Sequence, residues 1–168
     1  MMHLIRTSAV PALAALLTFV PLHDRPASQV AGGGSAEDLR ARSDAKALAR
    51  RWFEEIINDR NLDAVPDIYA ADYVWHGPEG QVIRGLEEVK AFAAAILAAS
   101  DDRHAVVQQQ VAEGDLVVTR FTSKGHHTGP YRGVQPTGAI WTTEGIVISR
   151  ISHGKIVEDW EVTHMAGM

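Results

Sequence analysis

Glu158, Trp160, Val162 and His164 fall at alternate positions of a strand-like run near the C-terminus, so all four share one face. Trp160 and Val162 belong on a buried face and would carry Glu158 and His164 inward with them. A buried carboxylate beside a buried imidazole is a proton-transfer pair, because burial raises the first pKa and partner charge tunes the second. Asp159, Glu161 and Thr163 would occupy the opposite face. The alternative is a strand near a sheet edge, with Glu158 and His164 at its wet ends.

Two further histidine positions could reach the same chemistry. His126 and His127 follow a strand and precede Gly129-Pro130. Adjacent residues of an extended segment point to opposite sides, so at most one of them faces a pocket; the other reading is a turn histidine bonded to backbone. His76 ends the run Tyr73-Val74-Trp75-His76 and precedes Gly77-Pro78, where it either looks into a pocket mouth or closes a turn. Imidazole suits zinc, but His76, His127 and His164 lie too far apart in sequence to carry a metal-site spacing, and no metal is expected. No Gly-x-Ser-x-Gly elbow, P-loop or dinucleotide glycine fingerprint occurs.

The elements that must position these groups are legible from periodicity. Ser35 and Asp38 have capping-box spacing, and Ala41, Ala45, Leu48, Ala49, Trp52, Phe53, Ile56 and Ile57 then recur at helical spacing up to Asn58. A short second helix fits Leu62 to Tyr69, and a third fits Gly85 to Ala99. After Asp101-Asp102 the period becomes two. Strands are expected over Ala105–Ala112, Leu116–Lys124, Ile140–Ser149 and Ile156–His164, with turns at Glu113-Gly114-Asp115 and Ser152-His153-Gly154-Lys155. Helices followed by hairpin-linked strands predict an α+β fold: three N-terminal helices packed on a curved antiparallel sheet, with a ligand-sized cone between. Trp141 and Thr143 share one strand face and would give that cone an aromatic wall and a hydroxyl; Trp75 would add to its floor.

Composition narrows the function classes. A chain of 168 residues with 46% hydrophobic residues and 22% charged residues can bury one core. Its net charge of −5 argues against nucleic-acid binding, and the absence of cysteine excludes thiolate chemistry and disulfides. Residues 1–35 read as a signal peptide and flexible leader, with an uncleaved disordered extension or a misassigned start codon as the other readings, since no clean Ala-x-Ala precedes the glycines. Arg6 precedes an apolar run from Ala9 to Leu22, and small residues follow up to Gly32-Gly33-Gly34. The run is short for a membrane span. A secreted or periplasmic domain over residues 36–168, with no membrane association after cleavage, is therefore expected.

Several ordered fragments carry a family resemblance. They are Trp52-Phe53, Asn61-Leu62-Asp63-Ala64-Val65, Asp72-Tyr73-Val74-x-His76-x-Pro78, Gly125-x-His127-x-Gly129, Gly133-x-x-Pro136-Thr137-Gly138 and Gly154-Lys155-Ile156-Val157-Glu158-x-Trp160. Together, over residues 45–164, the chain resembles the SnoaL-like polyketide cyclase family (ester cyclases of the nuclear-transport-factor-2-like superfamily). The resemblance implies a cone-shaped α+β barrel, a homodimer formed through the outer sheet face, and acid/base catalysis without metal or cofactor. In this family an acidic residue moves a proton during an intramolecular aldol ring closure. Where the family usually has Asp, four residues after the strand tryptophan, this chain has His164. Asp159 and Glu158 are the nearest carboxylates that could substitute, and alternation favours Glu158.

The expectation is thus a domain that binds a small hydrophobic carbonyl compound and catalyses an aldol-type or isomerase-like proton transfer. His164, Glu158, His76 and His127 would be its catalytic set, with His164 the proton carrier. Trp160, Trp141, Thr143, Trp75 and Val162 would contact substrate. Two other readings stand beside it: a non-catalytic exported binding module, and an epoxide hydrolase, whose Asp-Arg-Asp relay finds no place on this sequence.

Overall fold

A computed structural model describes residues 34–167 of the chain; the expected leader, apart from Gly34 and Ser35, lies outside the described residues. Helix α1 (Ala36–Arg51) opens on the capping box: the Asp38 N–H donates to Ser35 Oγ at 3.1 Å, and the Ser35 N–H donates to Asp38 Oδ2 at 2.9 Å. At Trp52 the winding widens to a π-helical segment, Trp52–Asn58, and the Asp59 N–H reaches back five residues to the Glu54 carbonyl at 2.9 Å. Phe53, Ile56 and Ile57 on this segment are buried.

Asn61 caps a short 3₁₀ turn, Leu62–Ala64, which runs into the single turn of α2 (Val65–Ile68), with Pro66 in its first turn. The second helix therefore stops one residue before the expected Tyr69. Strand β1 (Tyr69–His76), β2 (Val82–Arg84) and helix α3 (Gly85–Ala99) follow. Four long strands complete the domain: β3 (His104–Glu113), β4 (Leu116–His126), β5 (Ile140–Ser152) and β6 (Lys155–Ala166).

The expected α+β class is what the structure has. Three helices pack on a curved six-stranded sheet of order β2-β1-β6-β5-β4-β3. The sheet is open and mixed rather than wholly antiparallel, because β1 pairs parallel with β6 while every other pair is antiparallel. This parallel neighbour is what periodicity within one strand could not supply: it joins residues more than eighty positions apart. The main core lies between helices and sheet, around Phe53, Ile56, Val65, Ile68, Ala93 and Ile156. Burial of each large apolar side chain there contributes about 1.5–3 kcal/mol.

The β4–β5 connection is pinned rather than loose. The N–H groups of Thr128 and Gly129 donate to the last α3 carbonyl, Ala99 O, at 3.0 and 3.1 Å. Gly129 is packed so closely on this helix end that a Cβ would overlap the Ala98 carbonyl.

Candidate active site

The helices and the concave sheet face enclose a cavity with a narrow inner chamber of about 40 Å³ and a wider outer chamber of about 330 Å³. Trp52, Phe53, Trp75, Phe92, Phe121 and Glu161 line both chambers, so the two are continuous. Trp52 stacks on Phe92 at 6.4 Å and Trp75 packs on Phe92 at 5.0 Å, which makes the wall largely aromatic. Such a surface suits a flat hydrophobic ligand.

Two carboxylates of β6 break that apolar lining. Asp159 is 4% exposed, and its Oδ2 accepts a 2.7 Å hydrogen bond from the Tyr73 hydroxyl. Ser149 faces it across the β5–β6 ladder, and Asp159 Oδ1 has no hydrogen-bond partner among the described residues. Burial pushes the Asp159 pKa up to about 6, while the Ser149 and Tyr73 hydroxyls pull it partly back. Glu161, two residues on, accepts a 2.8 Å hydrogen bond from Trp75 Nε1 at its Oε2. It is partly buried and lines both chambers. Burial raises its pKa to about 7, the Trp75 indole opposes the rise, and the Asp159 charge adds to it. A group poised there can accept a proton as carboxylate and return it as acid near neutral pH. Burial, with the nearby carboxylates adding to it, holds the Tyr69 and Tyr73 phenols well above their ordinary range, so both remain protonated.

A cation occupies the wide end. Arg103, immediately before β3, is 8% exposed; its Nη2 donates to Thr143 Oγ1 at 2.9 Å and its guanidinium lies 4.2 Å over the Trp141 ring. The buried Asp159 thus lies in the inner chamber and the Arg103 guanidinium in the outer one, with Glu161 lining both.

The family profile for SnoaL-like polyketide cyclases matches residues 47–168 of this sequence. The chain belongs to that family. Among solved structures, this SnoaL-like domain is similar to a proposed SnoaL-like polyketide cyclase from Jannaschia sp. CCS1, with a TM-score of 0.67 and 22% identity over 73% of this chain and 86% of that one. AclR, a proposed hydroxylase from Streptomyces galilaeus, aligns at a TM-score of 0.65 with 27% identity, covering 73% of this chain and 90% of AclR. IdmH, a proposed polyketide cyclase from Streptomyces antibioticus, gives 0.62 and 29%, covering 71% and 91%. No curated protein matches the chain significantly.

Within the SnoaL-like cone, strand β6 has the opposite phase to the one expected. Asp159 and Glu161 face the cavity, while Glu158, Trp160 and Val162 lie on the outer sheet face. Glu158 sits between His76 Nε2, at 2.9 Å, and Arg150 Nη1, which donates at 2.8 Å. His76 stacks on Trp160 at 5.7 Å and 8°, and the Arg150 guanidinium covers the same ring at 4.9 Å. Three predicted site residues therefore do meet, but outside the cavity. Val162 is 68% exposed and touches no chamber. His164 is exposed and reaches only the lining of the outer chamber. His127 is fully buried edge-on to Trp141 at 5.9 Å, its Nδ1 lies 3.2 Å from Thr137 Oγ1, and it lines neither chamber. Trp75, Trp141 and Thr143 do line the outer chamber.

The reversal of phase has a physical cause. Two acids can face an apolar interior when each meets a donor, and β1 presents the Tyr73 hydroxyl and the Trp75 indole to them. Trp160 loses little on the outer face because His76 and Arg150 cover it. A sequence signal existed: Tyr73 and Trp75 alternate on β1 as Asp159 and Glu161 do on β6, two donors and two acceptors of matching period. Arg103 carried no such signal. Among the described residues no three His, Asp or Glu side chains are grouped to hold a metal ion.

Proposed function

We propose that this SnoaL-like domain binds a hydrophobic, carbonyl-bearing small molecule in its aromatic cone and catalyses a proton transfer on it, with Glu161 as proton carrier. The observation that carries this reading is the placement of Glu161 on both chambers, anchored by Trp75 Nε1 and beside the buried Asp159. As carboxylate, Glu161 removes a proton alpha to the substrate carbonyl; as acid, it returns that proton to the new alkoxide or carbon. Asp159 keeps Glu161 from ionising too readily, and Tyr73 holds Asp159 in place. The aromatic walls fold the substrate so that the reacting atoms meet, which is where most of the rate of an intramolecular closure arises. The test is turnover on a panel of β-keto esters. Glu161→Gln keeps the size and the indole contact while removing the titratable carboxyl, and unchanged turnover would remove the assignment. His164, at the chamber rim, serves in this reading as a substrate contact. His164→Ala then raises KM while leaving kcat near its original value.

Two further parts of the reading concern the whole chain. The outer sheet face carries apolar groups, Ile146 opposite Val162 and Ile148 opposite Trp160, and we assign it to a second copy of the chain. We also propose that the domain is exported, on the reading of residues 1–35 as a leader, and mass spectrometry of the mature N-terminus tests it.

A further inference from the structure

The wall of the cavity's wide end buries three hydrogen-bond donors to which the described residues offer no partner. Arg103 Nη1, Ser123 Oγ and Trp141 Nε1 each lack a partner among the described residues. All three residues line the outer chamber, together with Thr143. They also share one wall. Ser123 pairs with Thr143 across the β4–β5 ladder, Trp141 lies two residues before Thr143 on the same strand face, and Arg103 spans Trp141 and Thr143 from above. Unsatisfied buried donors are rare in folded proteins, and three on one wall need an explanation.

The charge sharpens the question. Arg103 is more than nine-tenths buried, and among the described residues no carboxylate lies within ion-pair distance of it. Burial draws its pKa down to about 10, which still leaves it cationic at neutral pH. An unpaired buried cation destabilises a fold. Were its purpose structural neutralisation, Glu161 lines the same chamber and would be the natural partner; that carboxylate is instead held by Trp75. A neutral carbonyl would satisfy one donor and leave the charge unbalanced. A carboxylate has two oxygens with lone pairs for several donors and the opposite charge.

We infer that Arg103, Ser123, Trp141 and Thr143 form a subsite for the carboxylate of a hydrophobic acid, which orients the substrate with its reacting carbon toward Glu161. The orientation of that substrate rests on the proton-transfer reading above; the anion subsite itself does not. Its test uses binding alone. Isothermal titration at neutral pH with 2-naphthoate and its neutral isostere 2-naphthamide compares a carboxylate with an amide on one aromatic body. The wild-type domain is expected to prefer the naphthoate about ten-fold or more, as charge-assisted hydrogen bonds in a dry site imply. Arg103→Met brings the ratio to about one while retaining naphthamide binding, and Ser123→Ala reduces the ratio several-fold. Arg132→Met, which removes the exposed cation at the chamber mouth, leaves it unchanged.

Equal affinities for the two probes in the wild-type protein would overturn the proposal, as would a preference that survives Arg103→Met. If the methionine variant does not hold its fold by circular dichroism, the wild-type ratio and Ser123→Ala decide, and an unchanged ratio in the latter counts against the subsite. Failure here is separable from failure of the catalytic reading. A lost preference with Glu161-dependent turnover removes only the subsite; an intact preference with turnover indifferent to Glu161→Gln removes only the catalyst.

Discussion

Glu161 and Asp159 show how one environment sets the behaviour of two neighbouring acids. Both are raised by burial, to about 7 and about 6, yet each retains one donor that keeps it oriented. General acid/base catalysis by a positioned group is worth about 100-fold or more, so Glu161→Gln is expected to lower kcat by at least that factor in steady-state assays. The wild-type rate should rise through about pH 7 as Glu161 becomes the base, and this limb should vanish in the variant. The same shifts have a consequence for stability. Between about pH 4 and 7 these two acids hold more protons in the folded chain than in the unfolded one, so their contribution to stability falls as pH rises through that window. At about 1.4 kcal/mol per pKa unit, the cost reaches roughly 3 kcal/mol for each acid above neutrality. Thermal midpoints measured from about pH 5 to 8 should therefore decline, and the double variant Asp159→Asn/Glu161→Gln should flatten the decline. Tyr73→Phe removes the donor to Asp159 Oδ2 and leaves a second buried oxygen unpaired. It is expected to cost about 1–3 kcal/mol by denaturant titration, more at high pH than at low.

At the scale of elements, the site depends on β1 and β6 lying parallel with their inner faces in register. Trp75 stands directly opposite Asp159, and the side-chain bonds run diagonally across the pair, from the Tyr73 hydroxyl to Asp159 and from the Trp75 indole to Glu161. The π-helical segment matters for the same reason, because its wider turn brings both Trp52 and Phe53 to the cavity wall. The β4–β5 connection sets the far wall by seating on the end of α3. Gly129→Ala would drive a Cβ into the Ala98 carbonyl, so it should destabilise the domain by about 2 kcal/mol or more and loosen the Tyr131–Trp141 wall. Calorimetry and tryptophan fluorescence read the two effects separately. The helices, the four long strands to within one to three residues at their ends, and both tight turns were legible because hydrophobic period, caps and turn residues are local; the short β2 was not. The phase of β6 was not, because alternation defines two faces and leaves open which one meets the helices.

For the described domain as a whole, the curved sheet lines the cavity with its concave face and leaves an apolar strip on the convex one. Ile146 is 40% and Val162 68% exposed, and they are cross-strand neighbours. A second copy would cover them. Light scattering is expected to give a dimer for the wild-type domain and a monomer for Val162→Lys, with the naphthoate preference retained. A wild-type monomer would remove this assignment. By itself, the sequence determined the α+β class, the family resemblance, the three helices and the existence of a pocket, since all of these rest on short-range pattern and composition. The tertiary structure decided which side chains the pocket contains. His76, Glu158 and Trp160 were drawn together on the outer face, whereas Asp159 and Glu161 turned inward to donors supplied by a strand more than eighty residues away. Whether a polar group can be buried depends on a partner across space, and no local pattern states that partner.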